Sequence, residues 1–231
     1  MVNINSMFPY KRFKFKSEKI FEDLSDECKG LILREKTTLK IPKGQSLFYE
    51  GMIPQGVFLL KKGKVKKFTT GLEGKMYIFQ ISIKNELIGY QALMSKASYP
   101  YSASSLTDCE IDFIPKSTFM KLIDLDKLFG YRLLEVMAHE FGVFVNNMKI
   151  LSQHSVRERV ALSLIELNEC FSDINEGIKI SRRDHSSMIG TSVESLTRVL
   201  HDFKEERIIK VEKGEIFVND MKKLIKVSNY V

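Results

Sequence analysis

Three polar residues in one short segment of the chain carry the chemistry needed to read the edges of DNA bases. Glu194, Thr197 and Arg198 share one face if the segment is helical, because residues three and four positions apart are neighbours on a helix. The Arg198 guanidinium can donate two hydrogen bonds to O6 and N7 of guanine, and the Glu194 carboxylate can accept one from the amino group of cytosine. Thr197 offers thymine a hydroxyl or a methyl group. The segment therefore predicts base reading.

Four nearby residues have side chains suited to phosphate contacts. Arg182 and Arg183 form a basic pair at the start of one predicted helix, and Ser181 and Ser192 lie beside helix starts. Phosphate contacts fix the register of a protein on DNA without reading its sequence. A local basic pair is sufficient for them, so the surrounding domain need not be basic as a whole.

Two other interpretations of the same residues remain open at this point. Thr191 and Glu194 have the spacing of a capping box, in which Glu194 would simply stabilise the start of the helix. Glu194, Arg198 and Asp202 are also four residues apart in succession, so they could form a ladder of surface ion pairs.

The elements that must position these side chains lie in residues 181–217. The pattern predicts a short helix, a turn at Ile189-Gly190-Thr191, a second helix and two short strands joined at Lys213-Gly214. A helix-turn-helix of this kind places its second helix in the major groove, and the hairpin would supply a wing. The apolar side of the second helix consists of Val193, Leu196, Val199, Leu200 and Phe203.

A long amphipathic helix is predicted over residues 128–152, where apolar residues recur at steps of three or four. One interpretation is a helix packed on its own domain, and the other is the seam of a dimer. We expect a homodimer, because a second apolar stripe suits burial on two sides and two-fold symmetry doubles the DNA site that is read. The predicted seam residues are Leu133, Met137, Phe141, Phe144, Met148 and Leu151.

The chain before this helix is rich in predicted strands. Turn residues recur at short spacing through residues 37–116, which favours a barrel or jelly roll. We therefore expect three regions: a strand-rich domain in residues 1–127, the long helix in residues 128–153 and a winged helix-turn-helix in residues 154–231.

Composition narrows the class of protein further. The 231 residues contain 44% hydrophobic and 28% charged residues, and no apolar run approaches the ~20 residues of a membrane span. No secretory signal is evident, so a cytoplasmic protein is expected. The formal net charge of +7 lies entirely in residues 1–153, since residues 154–231 contain thirteen basic and thirteen acidic residues. Total charge alone would therefore not identify the DNA-reading part.

The order of elements and the segment from Gly190 to Leu200 resemble the Crp/Fnr family of bacterial transcription regulators, over essentially residues 25–220. In that family the recognition helix carries Glu and Arg four residues apart, here Glu194 and Arg198. Val193 stands where Crp-like members have an Arg, which is closer to the Fnr-like version. The resemblance implies an α+β fold with an N-terminal cyclic-nucleotide-binding-like β-barrel (jelly roll), a long dimerisation helix and a C-terminal winged helix-turn-helix. It also implies double-stranded DNA with an inverted TTGA-like repeat and RNA polymerase as partners, and no membrane.

The resemblance places a candidate effector pocket in the barrel but argues against cyclic AMP. Cyclic-nucleotide-binding members have a Glu where this chain has Tyr90, and the stretch from Lys96 to Ser102 contains no Arg to hold a phosphate. The effector is unknown: the barrel could hold an apolar or aromatic ligand, or side chains could fill its cavity. The candidate pocket residues are Gly89, Tyr90, Gln91, Tyr101 and Ser102.

Other cofactor chemistry and enzymatic activity are not expected. Three scattered cysteines cannot supply the four thiolates of an iron–sulfur cluster, and no spacing suggests a zinc site or a disulfide framework. All four histidines lie outside the barrel, where a haem ligand would be needed. We find no nucleophile elbow, phosphate-binding loop or zinc-protease motif. The competing hypothesis is a sensor domain whose helix-turn-helix serves protein interaction only.

Overall fold

The computed structural model describes residues 8–15, 17–21, 23–171 and 177–230. It divides into two units. One consists of the described residues of Phe15–Thr70 and Phe79–Gly142, and the other of those of Met1–Lys14, Gly71–Ile78 and Val143–Val231. The predicted regions 1–127 and 154–231 each include residues outside the described ranges, and their boundaries remain predictions.

Two antiparallel four-stranded sheets form the strand-rich part. The first has the order β1-β8-β3-β6 and the second β2-β7-β4-β5. Apolar residues of both sheets meet in one core, including Phe48, Leu60, Val65 and Ile111. The predicted jelly roll is therefore present as two open sheets that enclose a core. The strands are β1 Thr37–Ile41, β2 Ser46–Phe48, β3 Gly56–Lys62, β4 Val65–Thr70, β5 Met76–Ser82, β6 Leu87–Ile88, β7 Ser102–Ser105 and β8 Cys109–Pro115.

Helices cover a second core beside these sheets. They are α1 Asp26–Glu35, α2 Tyr90–Ser95, α3 Lys116–Leu125 and the first part of α4 Lys127–Gln153. Tyr90, Phe119 and Phe129 are fully buried in this core together with Ile20 and Leu24. Short 3-10 helices at Tyr10–Arg12 and Ser17–Phe21 precede α1.

The long helix α4 was predicted over residues 128–152, and it spans Lys127–Gln153. Leu133 has no exposed surface and belongs to the core formed with α1, α2 and α3, and Met137 packs against the same core. This burial corrects the first position of the seam predicted from sequence: Leu133 faces its own domain, because the predicted repeat begins on the core side of a helix that is apolar on two sides and continues on its exposed side.

The C-terminal elements form the predicted winged helix-turn-helix. They are α5 Val156–Cys170, α6 Arg182–Ile189, α7 Val193–Glu205, β9 Ile209–Glu212, β10 Glu215–Val218 and α8 Met221–Ser228. Leu196, Leu200 and Phe203 of α7 are buried with Leu164 of α5 and Leu224 of α8. Val193 departs from the expected apolar side, since 37% of its surface is exposed at the first position of α7.

Candidate nucleic-acid interface

The turn between α6 and α7 has the geometry that its sequence predicts. Gly190 ends α6 with φ +62°, a left-handed conformation that suits a residue without a side chain, and its N–H donates to the Ser186 carbonyl. Ser192 then caps α7 by accepting a hydrogen bond from the Ser195 N–H at 3.1 Å. The two caps fix the direction in which α7 leaves the turn.

The outward face of α7 presents the three predicted base-reading residues. Glu194, Thr197 and Arg198 are all exposed, whereas Leu196 and Leu200 on the opposite face are buried. Within the described part of the chain, no ion pair joins Arg198 to Glu194 or Asp202. The structure therefore lacks the ion-pair ladder considered above, and the Arg198 guanidinium keeps its donors available.

Glu194 is held as a carboxylate at the start of α7. Hydrogen bonds from its own backbone N–H and then from the Ser192 hydroxyl lower the pKa of the Glu194 carboxyl. The capping pair is Ser192 with Ser195 instead of Thr191 with Glu194, so that version of the capping box is wrong. Glu194 nevertheless contributes to the helix start, and both roles are compatible with a carboxylate that accepts hydrogen bonds.

The Thr197 hydroxyl already donates a hydrogen bond within α7. Its Oγ1 donates to the Val193 carbonyl at 2.7 Å, one turn earlier in α7. The methyl group and the remaining acceptor capacity of the oxygen are what Thr197 can still offer to a base.

The four predicted phosphate contacts differ in their surroundings. Ser181 caps α6, since its hydroxyl accepts from the Asp184 N–H at 3.0 Å and donates to the Asp184 carboxylate at 2.9 Å. Ser192 caps α7 in the same way, so both serines support helix starts. Arg183 is exposed, whereas Arg182 is half-buried and desolvation lowers the pKa of its guanidinium. Of the two cations, Arg183 is therefore the more accessible to a phosphate.

Two contacts that support the reading helix were missed from the sequence. His185 of α6 is fully buried and lies 2.8 Å from the Ser163 hydroxyl of α5. Burial, and secondly the charge of Arg182, lowers the pKa of His185 to about 3, so its imidazole is neutral near pH 7. Arg157 of α5 lies over the Phe203 ring at 4.7 Å and donates to Glu206 at 2.7 Å. Sequence separations of 22 to 49 residues left no local pattern to reveal these pairs.

Three of the five predicted effector residues form a hydrogen-bonded chain in the unit that contains Phe15–Thr70 and Phe79–Gly142, hereafter the barrel unit. The Gly89 N–H donates to the Tyr101 hydroxyl at 3.3 Å, and that hydroxyl donates to the Gln91 side-chain oxygen at 3.1 Å. The Gln91 side-chain nitrogen then donates to Glu140 of α4 at 3.0 Å. Tyr90 is fully buried nearby. Ser102 lies outside this chain of hydrogen bonds, and its hydroxyl accepts from the Glu50 N–H at 2.9 Å.

Buried charges that were not predicted lie in this same interior. Lys67 of β4 is 1% exposed, and desolvation lowers the pKa of its ammonium while the charges of Glu140 and Glu86 act in the opposite direction. In the described part of the chain, the Lys67 ammonium, the Ser82 hydroxyl and one Glu140 oxygen are buried without a hydrogen-bond partner. A buried lysine facing the core side of a strand breaks the alternation from which strands are predicted, and this explains why it was missed.

The described residues contain neither a candidate metal site nor a candidate membrane-spanning helix. No group of three or more histidine, cysteine, aspartate or glutamate side chains could hold a metal ion. None of the helices combines the length and the apolar character required to cross a bilayer.

Comparison with known proteins agrees with both halves of the fold. A family model described as the cyclic nucleotide-binding domain matches residues 38–126, and one described as the Crp-like helix-turn-helix domain matches residues 158–227. Together they cover about two thirds of the chain.

Relatives and solved structures match at greater length. The chain is 26% identical over 209 residues to the cyclic AMP receptor protein of Thermus thermophilus, covering 89% of this chain and 94% of that protein. It is 26% identical over 185 residues to the transcriptional activator protein FnrA of Stutzerimonas stutzeri, covering 78% and 75%. The structure of FixK2 from Bradyrhizobium japonicum shares the fold, with a TM-score of 0.77 at 19% identity over 85% of this chain and 98% of that one.

Proposed function

The chain belongs to the Crp/Fnr family of DNA-binding transcription regulators, and from that premise we propose that it reads an inverted-repeat site as a homodimer. Each subunit would place α7 in the major groove. Arg198 would bond guanine, Glu194 would accept from cytosine, and Thr197 would contact thymine. Relatives such as FnrA of Stutzerimonas stutzeri are named as transcriptional activators, and this supports a regulator of transcription.

One observation carries the proposal for base reading. Arg198 is exposed on the outward face of α7, and none of its donors is engaged in an ion pair with another described residue. Glu194 and Asp202 lie one turn before and one turn after Arg198, yet Arg198 forms an ion pair with neither. Its five donors are available for bidentate recognition of guanine.

The proposed phosphate contacts follow from the two helix starts. Arg182 and Arg183 begin α6, and the capped N-termini of α6 and α7 carry the positive ends of their helix dipoles. Ser181 and Ser192 stay in the proposal because a capping serine can also donate to a phosphate oxygen once its acidic or hydroxyl partner is displaced.

Selection of bound duplexes from a random library tests the DNA proposal. We expect the full chain to enrich an inverted repeat, and the Arg198→Ala variant to lose information at one G·C pair in each half-site. No enriched motif for the unsubstituted chain, with and without a cell extract to supply an effector, would contradict the proposal and favour a protein-interaction role for the helix-turn-helix.

The exposed face of α4 supports the homodimer. Large apolar residues remain exposed along it, with Leu134 63%, Phe141 71% and Met148 64% accessible. Together with Tyr131, Ala138 and Val145 they recur at alternating steps of three and four, which is the a/d spacing of a two-stranded coiled coil. We therefore propose the seam Tyr131, Leu134, Ala138, Phe141, Val145 and Met148, with Phe144 and Leu151 at its margin.

The barrel is the proposed control site, and cyclic AMP is not its proposed effector. A cyclic phosphate needs an accessible cation, but the one buried ammonium described in this interior, Lys67, is close enough to Glu140 and Glu86 for their charges to act on it. Tyr90, which is fully buried, stands where the resemblance expects a carboxylate for the ribose. These residues do not fit a cyclic nucleotide. We expect about 1 mM cyclic AMP, a concentration that would saturate a site of micromolar Kd, to change neither the midpoint of thermal unfolding nor the affinity for the selected duplex. A rise in both quantities would contradict this.

RNA polymerase is the proposed protein partner, because several relatives are named as transcriptional activators. In vitro transcription from a promoter carrying the selected site tests this. An increase with the full chain that disappears with Arg198→Ala would support activation through contact with the polymerase, and a decrease would indicate repression.

A further inference from the structure

An aromatic cluster joins the N-terminal segment of the chain to residue 230. The Phe13 and Tyr230 rings lie 4.7 Å apart edge to face, and the Phe8 ring lies 4.9 Å from Phe13 and 6.1 Å from Tyr230. Phe8, Phe13 and Tyr230 are 2%, 6% and 6% exposed. Three rings from opposite ends of the described chain are therefore buried against one another.

Polar contacts attach this cluster to the second half of α4. The Tyr230 hydroxyl donates to the side-chain oxygen of Asn146, and the Asn146 side-chain nitrogen donates to the Arg12 carbonyl at 3.2 Å. One asparagine thus holds both the N-terminal segment and Tyr230. The Lys149 ammonium, one turn further along α4, lies 6.0 Å from the Tyr230 ring.

The cluster lies at the joint between α4 and the DNA-binding domain. Only His154 and Ser155 separate α4 from α5, and the His154 ring stacks 6.0 Å from Tyr230. Arg159 donates to the Leu151 carbonyl at 2.9 Å and so closes the end of α4. Next to Tyr230, Asn229 donates to Glu158 of the Ser155 capping box at 3.0 Å.

We propose that residues 8–14 together with Asn229 and Tyr230 form a clasp that holds the α4–α5 joint in the arrangement that binds DNA. His154 and Ser155 provide only a few rotatable backbone angles, but rotation about these still changes the angle between α4 and α5 unless tertiary contacts oppose it. The clasp supplies such contacts from both flanks of the joint. Opening it would lower the fraction of molecules in the binding arrangement, and apparent affinity falls in proportion to that fraction.

Within this proposal the clasp is a point of control because its N-terminal half is a short segment, attached through two buried rings and one backbone carbonyl. Arg12 and Lys14 are exposed while Phe8 and Phe13 are buried. A segment held mainly by two rings can be released as a unit, whereas a helix of the core cannot. The inference rests on the proposed function, because DNA affinity is one of its two measurements. The other, hydrogen exchange at the α4–α5 joint, reports on the clasp without DNA.

The test compares variants of the full chain. Phe8→Ala/Phe13→Ala removes two rings of the clasp, and Tyr230→Phe removes only the hydroxyl bond to Asn146. Tyr49→Ala is the matched control, because Tyr49 is a 59% exposed tyrosine in the other unit. Affinity for the selected duplex and hydrogen exchange of residues 151–158 without DNA are measured for each.

We expect the double variant to bind DNA roughly tenfold more weakly, and Tyr230→Phe about threefold more weakly, with faster exchange at residues 151–158 and unchanged protection of α7. Tyr49→Ala should match the unsubstituted chain in both readouts. Faster exchange with unchanged affinity, or no change in either, would overturn the clasp. If the double variant loses protection throughout α5 and α7, Tyr230→Phe alone decides. Failure of the unsubstituted chain to bind any duplex would count against the proposed function, while the exchange data would still report on the clasp.

Discussion

At the scale of single residues, the proposed base-reading face of α7 (Glu194, Thr197 and Arg198) depends on the partners that the fold gives or withholds. Arg198 is exposed and not ion-paired within the described structure, whereas Arg157 is stacked on Phe203 and bonded to Glu206. The same residue type is thus proposed for recognition in one position and packs against a ring in another. The difference lies in the neighbours that the fold supplies.

Replacing Arg198 by Ala should relax sequence preference at one base pair in each half-site. The bidentate bond to guanine that this variant cannot make is worth about 1–3 kcal/mol of discrimination, because the wrong base leaves donors unpaired. Fluorescence anisotropy with the selected duplex and with a duplex altered at that pair measures the change. Arg34→Ala, an exposed arginine of α1 in the barrel unit, is the control and should bind as the unsubstituted chain does. Equal discrimination by the Arg198→Ala variant would remove Arg198 from the reading surface.

His185 should make the DNA-binding domain sensitive to acid. Its folded-state pKa of about 3 lies below the ordinary 6.5, so the unfolded chain binds a proton first as pH falls. The free energy of unfolding should therefore decrease between about pH 6.5 and pH 3, by up to about 1.4 kcal/mol per pH unit. Urea unfolding of the unsubstituted chain and of His185→Gln measures it. The slope should be smaller in the variant; equal slopes would show that the buried imidazole does not account for it.

The sequence predicted the residues on α7 but not the residues that hold α6 in place. Glu194, Thr197 and Arg198 follow helical spacing, so local pattern was enough. Ser163 and His185 meet only because α5 and α6 pack together, and a histidine in a polar stretch looks exposed in the sequence. Contacts between distant elements depend on tertiary packing, which periodicity does not encode.

At the scale of elements, α4 is the helix with two apolar sides. Leu133 and Phe129 face the barrel core, while Phe141 and Leu134 face outward. The sequence predicted the length of this helix to within one residue at each end, but it could not assign its sides. Both stripes repeat at steps of three and four, and only the position of the barrel core distinguishes them.

Replacing Phe141 by Glu should separate the proposed dimer. A carboxylate at the centre of an apolar seam has no partner, and the cost of its desolvation adds to the loss of buried apolar surface, for a weakening of at least about 2 kcal/mol. Sedimentation equilibrium at micromolar concentration should show a shift towards monomer. Leu33→Glu, at a similarly exposed leucine on α1, is the control. Dimers of unchanged affinity in the Phe141→Glu variant would place the seam elsewhere.

At the scale of the whole molecule, charge and function are distributed differently. The net charge of +7 lies in residues 1–153, yet the reading helix lies in the nearly neutral remainder. Composition therefore does not identify the DNA-reading part of the chain, whereas the helix-turn-helix pattern does. The barrel fold could be predicted from turn spacing, but its buried Lys67 and Glu140 could not, because charged residues usually indicate an exposed face.

The salt dependence of DNA binding should follow local charges and not the total. Arg183→Ala should reduce the slope of log affinity against log salt by about 2, because each of the two subunits of the dimer then neutralises one phosphate fewer and each phosphate contributes about 0.9 to the slope. Lys62→Ala removes the same charge from an exposed position in the barrel and should leave the slope unchanged. Titrations over a series of salt concentrations give both slopes. A matching reduction in the Lys62→Ala variant would mean that the barrel also contacts DNA.

The contact between Phe8 and Tyr230 also bears on how the chain folds during synthesis. These rings are more than two hundred residues apart in sequence and lie 6.1 Å apart in the structure. Closing so long a loop is entropically costly, and such contacts form late in folding. A ribosome that adds about 5–20 residues per second exposes Phe8 for on the order of ten seconds or more before Tyr230 is made. The segment around Phe8 is translated long before Tyr230 and is thus among the last parts to reach its place, and until then its aromatic residues are exposed to chaperones.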